Sequence, residues 1–287
     1  MTFLHKLTNF LLYSSVFISI GTVALIQLNI ELVSGNRQVD AYTWFAFFAT
    51  ILLYSAHRII GIKKVRAFED EPRFGLVKEY HQHIFIFGLI GAFGAAICFI
   101  LVPVPIKLLI IAPAVFSLLY VIPVFPGKKR LRDYSIIKIF TIAFVWAWIT
   151  SFIPEYIALG TFDVHQFLSF SERFLFFIAI TIPFDIRDFE VDIHLGVKTI
   201  PSLLGVNRSK FLALSCLLAH LCIVLFLSNT GYYQTAIWVP YLVLFIVTGT
   251  LIYQSNIAWS DYYYSGLLDG MIILQWLLVS SWLAIHG

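Results

Sequence analysis

Asp185-Ile-Arg187-Asp188-Phe-Glu190-Val-Asp192, with Gly196-Val-Lys198-Thr199 close behind, follows directly on a long apolar run that ends at Phe184. Asp185, Asp188 and Asp192 stand at i, i+3 and i+7, one stripe of a helix. Carboxylates one helical turn apart can share Mg2+, a hard cation that prefers oxygen ligands and bridges to phosphate. Such an ion rarely has a full protein cage, so one or two carboxylates with substrate phosphate suffice. Arg187, Lys198 and lysines of neighbouring loops can neutralise the remaining charge. The residues and their spacing leave two readings open, a site for a metal-bound polyanion and a solvated acidic helix end.

The rest of the chain is nearly all hydrocarbon. Hydrophobic residues make up 60% of the 287 and charged residues 12%, about half the charge of a soluble domain. Apolar runs of spanning length cover residues 8–32, 41–62, 82–102, 106–124, 136–158, 167–184, 209–228, 234–254 and 264–285. They are too long for strands, and an open sheet edge in lipid is prohibitive. The expected fold is therefore all-α, a polytopic bundle of nine transmembrane helices forming one domain over residues 1–287. A break belongs between Ser151 and Ser171, where Pro154, Glu155, Gly160 and Asp163 interrupt the apolar pattern. No cleavable signal pattern is evident. Cys98, Cys216 and Cys222 lie in apolar segments at no metal spacing and read as small buried hydrophobes.

Sixteen lysines and arginines fall on one side of this bundle and only Arg37, Lys107 and Arg173 on the other. The positive-inside rule then puts the N-terminus in the cytoplasm and the C-terminus outside, in what reads as a bacterial inner membrane. The charged loops follow the second, fourth and sixth runs, near residues 58–80, 125–135 and 185–210, all on the cytoplasmic face. A transporter would need broken helices and midplane charges, and Asp269 alone suggests any. A lipid bilayer is the expected environment, with no nucleic-acid partner.

The words around the acid cluster, Asp188-x-Glu190-x-Asp192-x3-Gly196-Val-Lys198-Thr199-Ile-Pro-x-Leu-Leu-Gly205, resemble the second aspartate-rich motif of the UbiA superfamily of intramembrane prenyltransferases. The resemblance implies a nine-helix bundle enclosing a cavity open to the cytoplasmic face, Mg2+, and a prenyl diphosphate donor. It also implies ionisation of that donor to an allylic carbocation, trapped by a lipophilic acceptor, aromatic or quinone-like. Asp188 and Asp192 would then be metal ligands, Asp185 would support them as the third catalytic acid, and Lys198 would face the diphosphate. Phe125-Pro-Gly-Lys128-Lys129-Arg130 resembles the family's Tyr-Pro-x-x-Lys-Arg element, which puts Lys129 and Arg130 near the diphosphate.

The family's first aspartate-rich motif, Asn-Asp-x-x-Asp-x-x-x-Asp, belongs at the end of the second helix. Here that region reads Tyr54-Ser55-Ala-His57-Arg58-Ile-Ile-Gly-Ile62-Lys63-Lys64. Two explanations compete. Arg58 and Lys63 can contact the diphosphate directly, since a guanidinium binds phosphate bidentately. Otherwise ionisation is lost, and the chain is a noncatalytic relative that binds lipid or acts as a scaffold. Three other positions are ambiguous. His57 at a helix end reads as structural. Lys138, just inside the fifth run, reads as snorkelling to the surface, with the diphosphate as its other destination. Asp269 inside the ninth run faces either the cavity or a helix contact. A minority of the aromatics, Phe144, Trp146 and Trp148 among the candidates, can stabilise a carbocation through their ring faces.

Overall fold

The computed structural model describes residues 3–62, 80–134, 136–194, 196–233 and 237–286. Among these the chain is helical almost throughout, with no strand and only an isolated bridge between Phe125 and Lys129. This is the expected all-α class, and its cause is that a helix satisfies its own backbone in hydrocarbon. Eight helical stretches are long and apolar enough to cross a membrane, and Trp238–Gln254 is a ninth apolar helix of 17 residues.

The chain divides into two compact units, Met1–Val23 with Val39–Leu108 and Ala24–Gln38 with Leu109–Gly287. The first contains α1 (Phe3–Tyr13), the first turns of α2 (Val16–Ser34), α3 (Ala41–Ile62), α4 (His81–Leu101) and the start of α5 (Val104–Val121). Helices α3 and α4 pack along each other with almost no space between their backbones. A Cβ at Gly91 would stand 2.8 Å from the Leu52 nitrogen and 2.9 Å from the Phe48 carbonyl oxygen, the close approach that small residues permit between membrane helices. Arg58 near the end of α3 donates to the Leu12 carbonyl at 2.8 Å, to the Tyr13 carbonyl, and to Ser15 Oγ at 3.3 Å. These are the final carbonyls of α1, which lack an intrahelical donor.

In the second unit α6 (Ile137–Ala147) runs through a π-helical turn, Trp148–Phe152, into α7 (Ile153–Leu159). The break expected between Ser151 and Ser171 is confined to Gly160–Asp163. Pro154 stays helical because it falls just after the π turn, in the first turn of α7, where its missing N–H is tolerated. Helix α8 (Val164–Arg187) follows, then α9 (Phe189–His194), α10 (Ile200–Leu204), α11 (Val206–Asn229) and α12 (Trp238–Gln254). A π-helical turn, Tyr262–Leu268, leads into α13 (Asp269–His286). Helix α8 is the centre of this unit, packed on α6 and α11. Its Phe176, Phe177, Ile180 and Ile182 are buried, and Trp146 of α6 stacks on Phe177 with ring centroids 4.7 Å apart.

Candidate functional site

The acid motif lies where α8 stops. The helix expected to carry all three aspartates ends at Arg187, and Asp188 leaves it with φ −86° and ψ 7°. Hydrogen bonding continues across the break, from Asp188 N–H to the Phe184 carbonyl at 3.0 Å and from Asp192 N–H to the Asp188 carbonyl at 2.8 Å. Gly196 then takes φ +68°, a conformation that favours glycine, and Val197 N–H returns to the Asp192 carbonyl at 2.8 Å. Thr199 starts α10, its N–H bonded to Ser202 Oγ at 2.8 Å. The Gly-Val-Lys-Thr words are thus a helix stop and a helix start, and they fix Asp192 on a short, tied turn.

The break splits the three aspartates between two cations. Asp185 and Asp192 meet at Lys138 of α6, whose Nζ is 2.5 Å from Asp185 Oδ1 and 3.7 Å from Asp192 Oδ2. Lys138 is buried there and does not snorkel to the surface. Asp188 instead takes the fork of Arg187, with Nε at 2.8 Å from Oδ1 and Nη2 at 3.2 Å from Oδ2. The third guanidinium nitrogen of Arg187 donates to Asp261 at 2.6 Å, and the group stacks over Phe184 and Tyr264. Asp269 lies within electrostatic reach of the same guanidinium, which places it at this end of α13.

Burial pushes the Asp192 carboxyl up to about 6; Lys138 pulls it down, Asp188 and Asp185 push it up, and Arg132 pulls it down. Among the described residues, the acids Asp185, Asp188, Asp192, Asp261 and Asp269 outnumber the cations Lys138, Arg132 and Arg187 that interact most strongly with them. Asp192 Oδ2 is buried and accepts no hydrogen bond. All these donors are hard oxygens, the set Mg2+ prefers. No three His, Cys, Asp or Glu side chains converge on a metal-holding point among the described residues. The residues fit a Mg2+ held by one or two carboxylates and completed by phosphate oxygens, not an all-protein cage.

The basic loop contributes unevenly. Lys129 sits over the Tyr134 ring at 5.7 Å. Arg130 is buried and forked onto Asp133 at 2.9 and 3.3 Å, but its Nη1 makes no hydrogen bond. Arg132, which its sequence neighbours overshadowed, is a loop cation whose charge reaches Asp192. Lys198 is exposed between α9 and α10. Arg58 belongs to the other unit, and Lys63 lies outside the described residues. Arg132 and Asp261 are the residues that sequence reasoning passed over, and Lys138 is the one that it read as snorkelling; a lysine inside an apolar run was the available signal for a buried partner.

A second charged cluster occupies the interior of the same unit. Arg173, counted on the outer side of the bundle, is fully buried within α8 beside Glu172. Arg173 Nη2 is 3.5 Å from Glu172 Oε1, His220 Nδ1 of α11 is 2.7 Å from Glu172 Oε2, and Arg173 Nη1 donates to Gln275 at 3.2 Å. Tyr233 OH approaches Glu172 at 3.3 Å and Ser169 at 3.0 Å, while Ser169 and Tyr232 donate to Glu155.

Comparison with solved structures decides the architecture. A UbiA homologue from Archaeoglobus fulgidus bound to GPP and Mg2+ superposes with a TM-score of 0.61 at 9% identity, over 95% of this chain and 99% of that one. The chain has the UbiA fold. The apo structure of a UbiA homologue from Aeropyrum pernix K1 gives a TM-score of 0.64 at 14% identity, over 94% and 98% of the two chains. A digeranylgeranylglyceryl phosphate synthase gives 0.54 at 18% identity, over 96% and 98%. No family model and no curated protein sequence matches the chain. With this fold and its apolar helices, the chain is an integral membrane protein.

Proposed function

We propose that this chain is a UbiA-superfamily intramembrane prenyltransferase, moving an isoprenyl group from a prenyl diphosphate to a lipophilic acceptor of aromatic or quinone-like type. The observation that carries the reading is the surplus of buried and half-buried carboxylates at the end of α8, beside a basic loop. A diphosphate approaches such a cluster only with a cation between them, since like charges repel at these distances. The A. fulgidus homologue bound to GPP and Mg2+ supports it.

On this reading Asp192 and Asp188 would hold the Mg2+. Asp185, fixed by Lys138, supports them. Mg2+ supplies positive charge that stabilises the diphosphate as leaving group. Arg130, with its unused Nη1, Lys129 and Lys198 would orient the phosphate oxygens. The bond between prenyl C1 and the diphosphate oxygen breaks with its electron pair on oxygen. The acceptor's nucleophilic atom closes on C1 and gives up a proton. The cavity for donor and acceptor lies within the bundle and opens to the cytoplasm, with the N-terminus cytoplasmic and the C-terminus outside. The membrane would be a bacterial inner membrane.

Arg58 favours a second reading, a noncatalytic lipid-binding or scaffold protein of the same fold. Its guanidinium is engaged by α1 carbonyls, in a region where no aspartate stands. Purified protein tested for Mg2+-dependent binding of farnesyl or geranylgeranyl diphosphate decides between them in two steps. No binding, or binding unchanged in Asp188→Ala with Asp192→Ala, sinks the transferase reading. Binding without turnover of labelled donor in membrane extracts selects the second.

A further inference from the structure

Lys138 holds a position that a divalent cation would otherwise compete for. Its Nζ stands between two carboxylates that come from either side of the α8 break, 2.5 Å from Asp185 Oδ1 and 3.7 Å from Asp192 Oδ2. The side chains of Lys138 and Asp185 are 9% and 2% exposed. Neither can exchange its partner for water without an opening of the packing between α6 and α8. A divalent ion bridging Asp185 and Asp192 would lie within contact distance of the ammonium, and two cations in so dry a place repel strongly. Asp188 is paired with a different cation. Its cation, Arg187, has a second carboxylate at 2.6 Å in Asp261, so Arg187 stays paired when Asp188 takes another ligand.

We propose that Lys138 is a resident counter-ion that bars divalent metal from the Asp185–Asp192 pair and thereby limits the acid cluster to one metal ion, on the Asp192 and Asp188 side. The inference rests on the metal–diphosphate reading given above and deepens it. Lys138 is a positioning residue here, and Asp185 is its anchor and not a metal ligand. The fixed monovalent charge does for Asp185 what a second metal ion would do. It also leaves Asp192, whose nearer oxygen is 3.7 Å from the ammonium against 2.5 Å for Asp185, as the more loosely held carboxylate of the pair.

The test counts metal and does not depend on turnover. Full-length protein in detergent is titrated with Mn2+ in the presence of inorganic pyrophosphate, and bound Mn2+ is counted by electron paramagnetic resonance. The wild type is expected to bind one Mn2+, Lys138→Met two, and Lys138→Arg one, since arginine restores the barring charge. Lys138→Gln replaces Lys138→Met if the latter does not purify as a monodisperse species. Two ions in the wild type, or one in a folded Lys138→Met or Lys138→Gln protein, overturn the inference and leave the metal–diphosphate reading standing. No Mn2+ in any variant, with or without pyrophosphate, overturns both.

Discussion

Helix α8 carries two charged clusters about 20 Å apart along its axis, and they solve the problem of charge in a membrane bundle in opposite ways. The inner one, at Glu172 and Arg173, is fully enclosed and matched in charge, with His220, Gln275, Tyr233 and Ser169 supplied by other turns and helices. Arg173 Nε and His220 Nε2 make no hydrogen bond, yet no carboxylate there lacks a nearby donor. The terminal one, at Asp185, Asp188 and Asp192, has more acids than cations, and the side chains of Asp192 and Asp188 are 12% and 19% exposed. Ionisable groups in a membrane interior are costly wherever they occur. A matched, sealed cluster ties helices together. An unmatched one at a helix end keeps its capacity for a ligand.

The largest effect that can break this contrast is on stability. Arg173→Met leaves Glu172 buried with only His220 and Tyr233 to compensate, and removing one partner of a buried pair costs about 3–5 kcal/mol. Unfolding of the detergent-solubilised protein should show that loss for Arg173→Met and less than about 1 kcal/mol for Asp188→Asn, whose site is partly hydrated. Equal losses would mean that the terminal cluster is structural too. The next effect is on binding. Asp192→Asn should weaken Mg2+-dependent pyrophosphate binding by about 100-fold, ~2.7 kcal/mol. His220→Gln, which touches only the inner cluster, should change it by less than about twofold. Isothermal titration of both variants makes the comparison, and a large loss in His220→Gln would join the two clusters into one site.

The helical class and the membrane setting were legible because they follow from apolar length alone, and the acid motif was legible because its glycine and threonine words encode a helix stop and a helix start. What was not legible depended on three-dimensional pairing. Lys138 looked like a snorkelling residue, since a lysine one turn inside an apolar run has lipid surface on one side and a partner on the other, and only the packing of α6 on α8 selects the partner. Arg173 counted among the outer-side charges because it stood near the start of the run 167–184, whereas the helix begins at Val164 and buries it fully. Asp188 looked equivalent to its neighbours by spacing, and the end of α8 at Arg187 separates it from them.

A smaller effect follows from the carboxyl held at about 6 on Asp192. The carboxyl sits high because it is buried, so below that pH it is protonated and a metal ion must displace a proton to bind. Apparent Mg2+ affinity should therefore fall about tenfold for each pH unit below 6 and level off above it. Asp192→Asn should flatten the profile. A flat profile in the wild type would place the metal elsewhere in the cluster.

The smallest effect sharpens the contrast between residues of the basic loop. Arg132 is a loop cation that pulls Asp192 down, whereas Lys129 sits over the Tyr134 ring. Charge felt through partly hydrated surroundings at this range amounts to a few tenths of a pH unit. Arg132→Gln should raise the midpoint of the Mg2+ profile by about that much, because one cation opposing the protonation of Asp192 is gone. Lys129→Gln should leave the midpoint in place while weakening pyrophosphate binding as a phosphate contact would. The two variants thus separate a charge that tunes the acid cluster from one that meets the ligand. Equal midpoint shifts in both would show that the loop acts on Asp192 as one diffuse field, with no division of labour between Arg132 and Lys129.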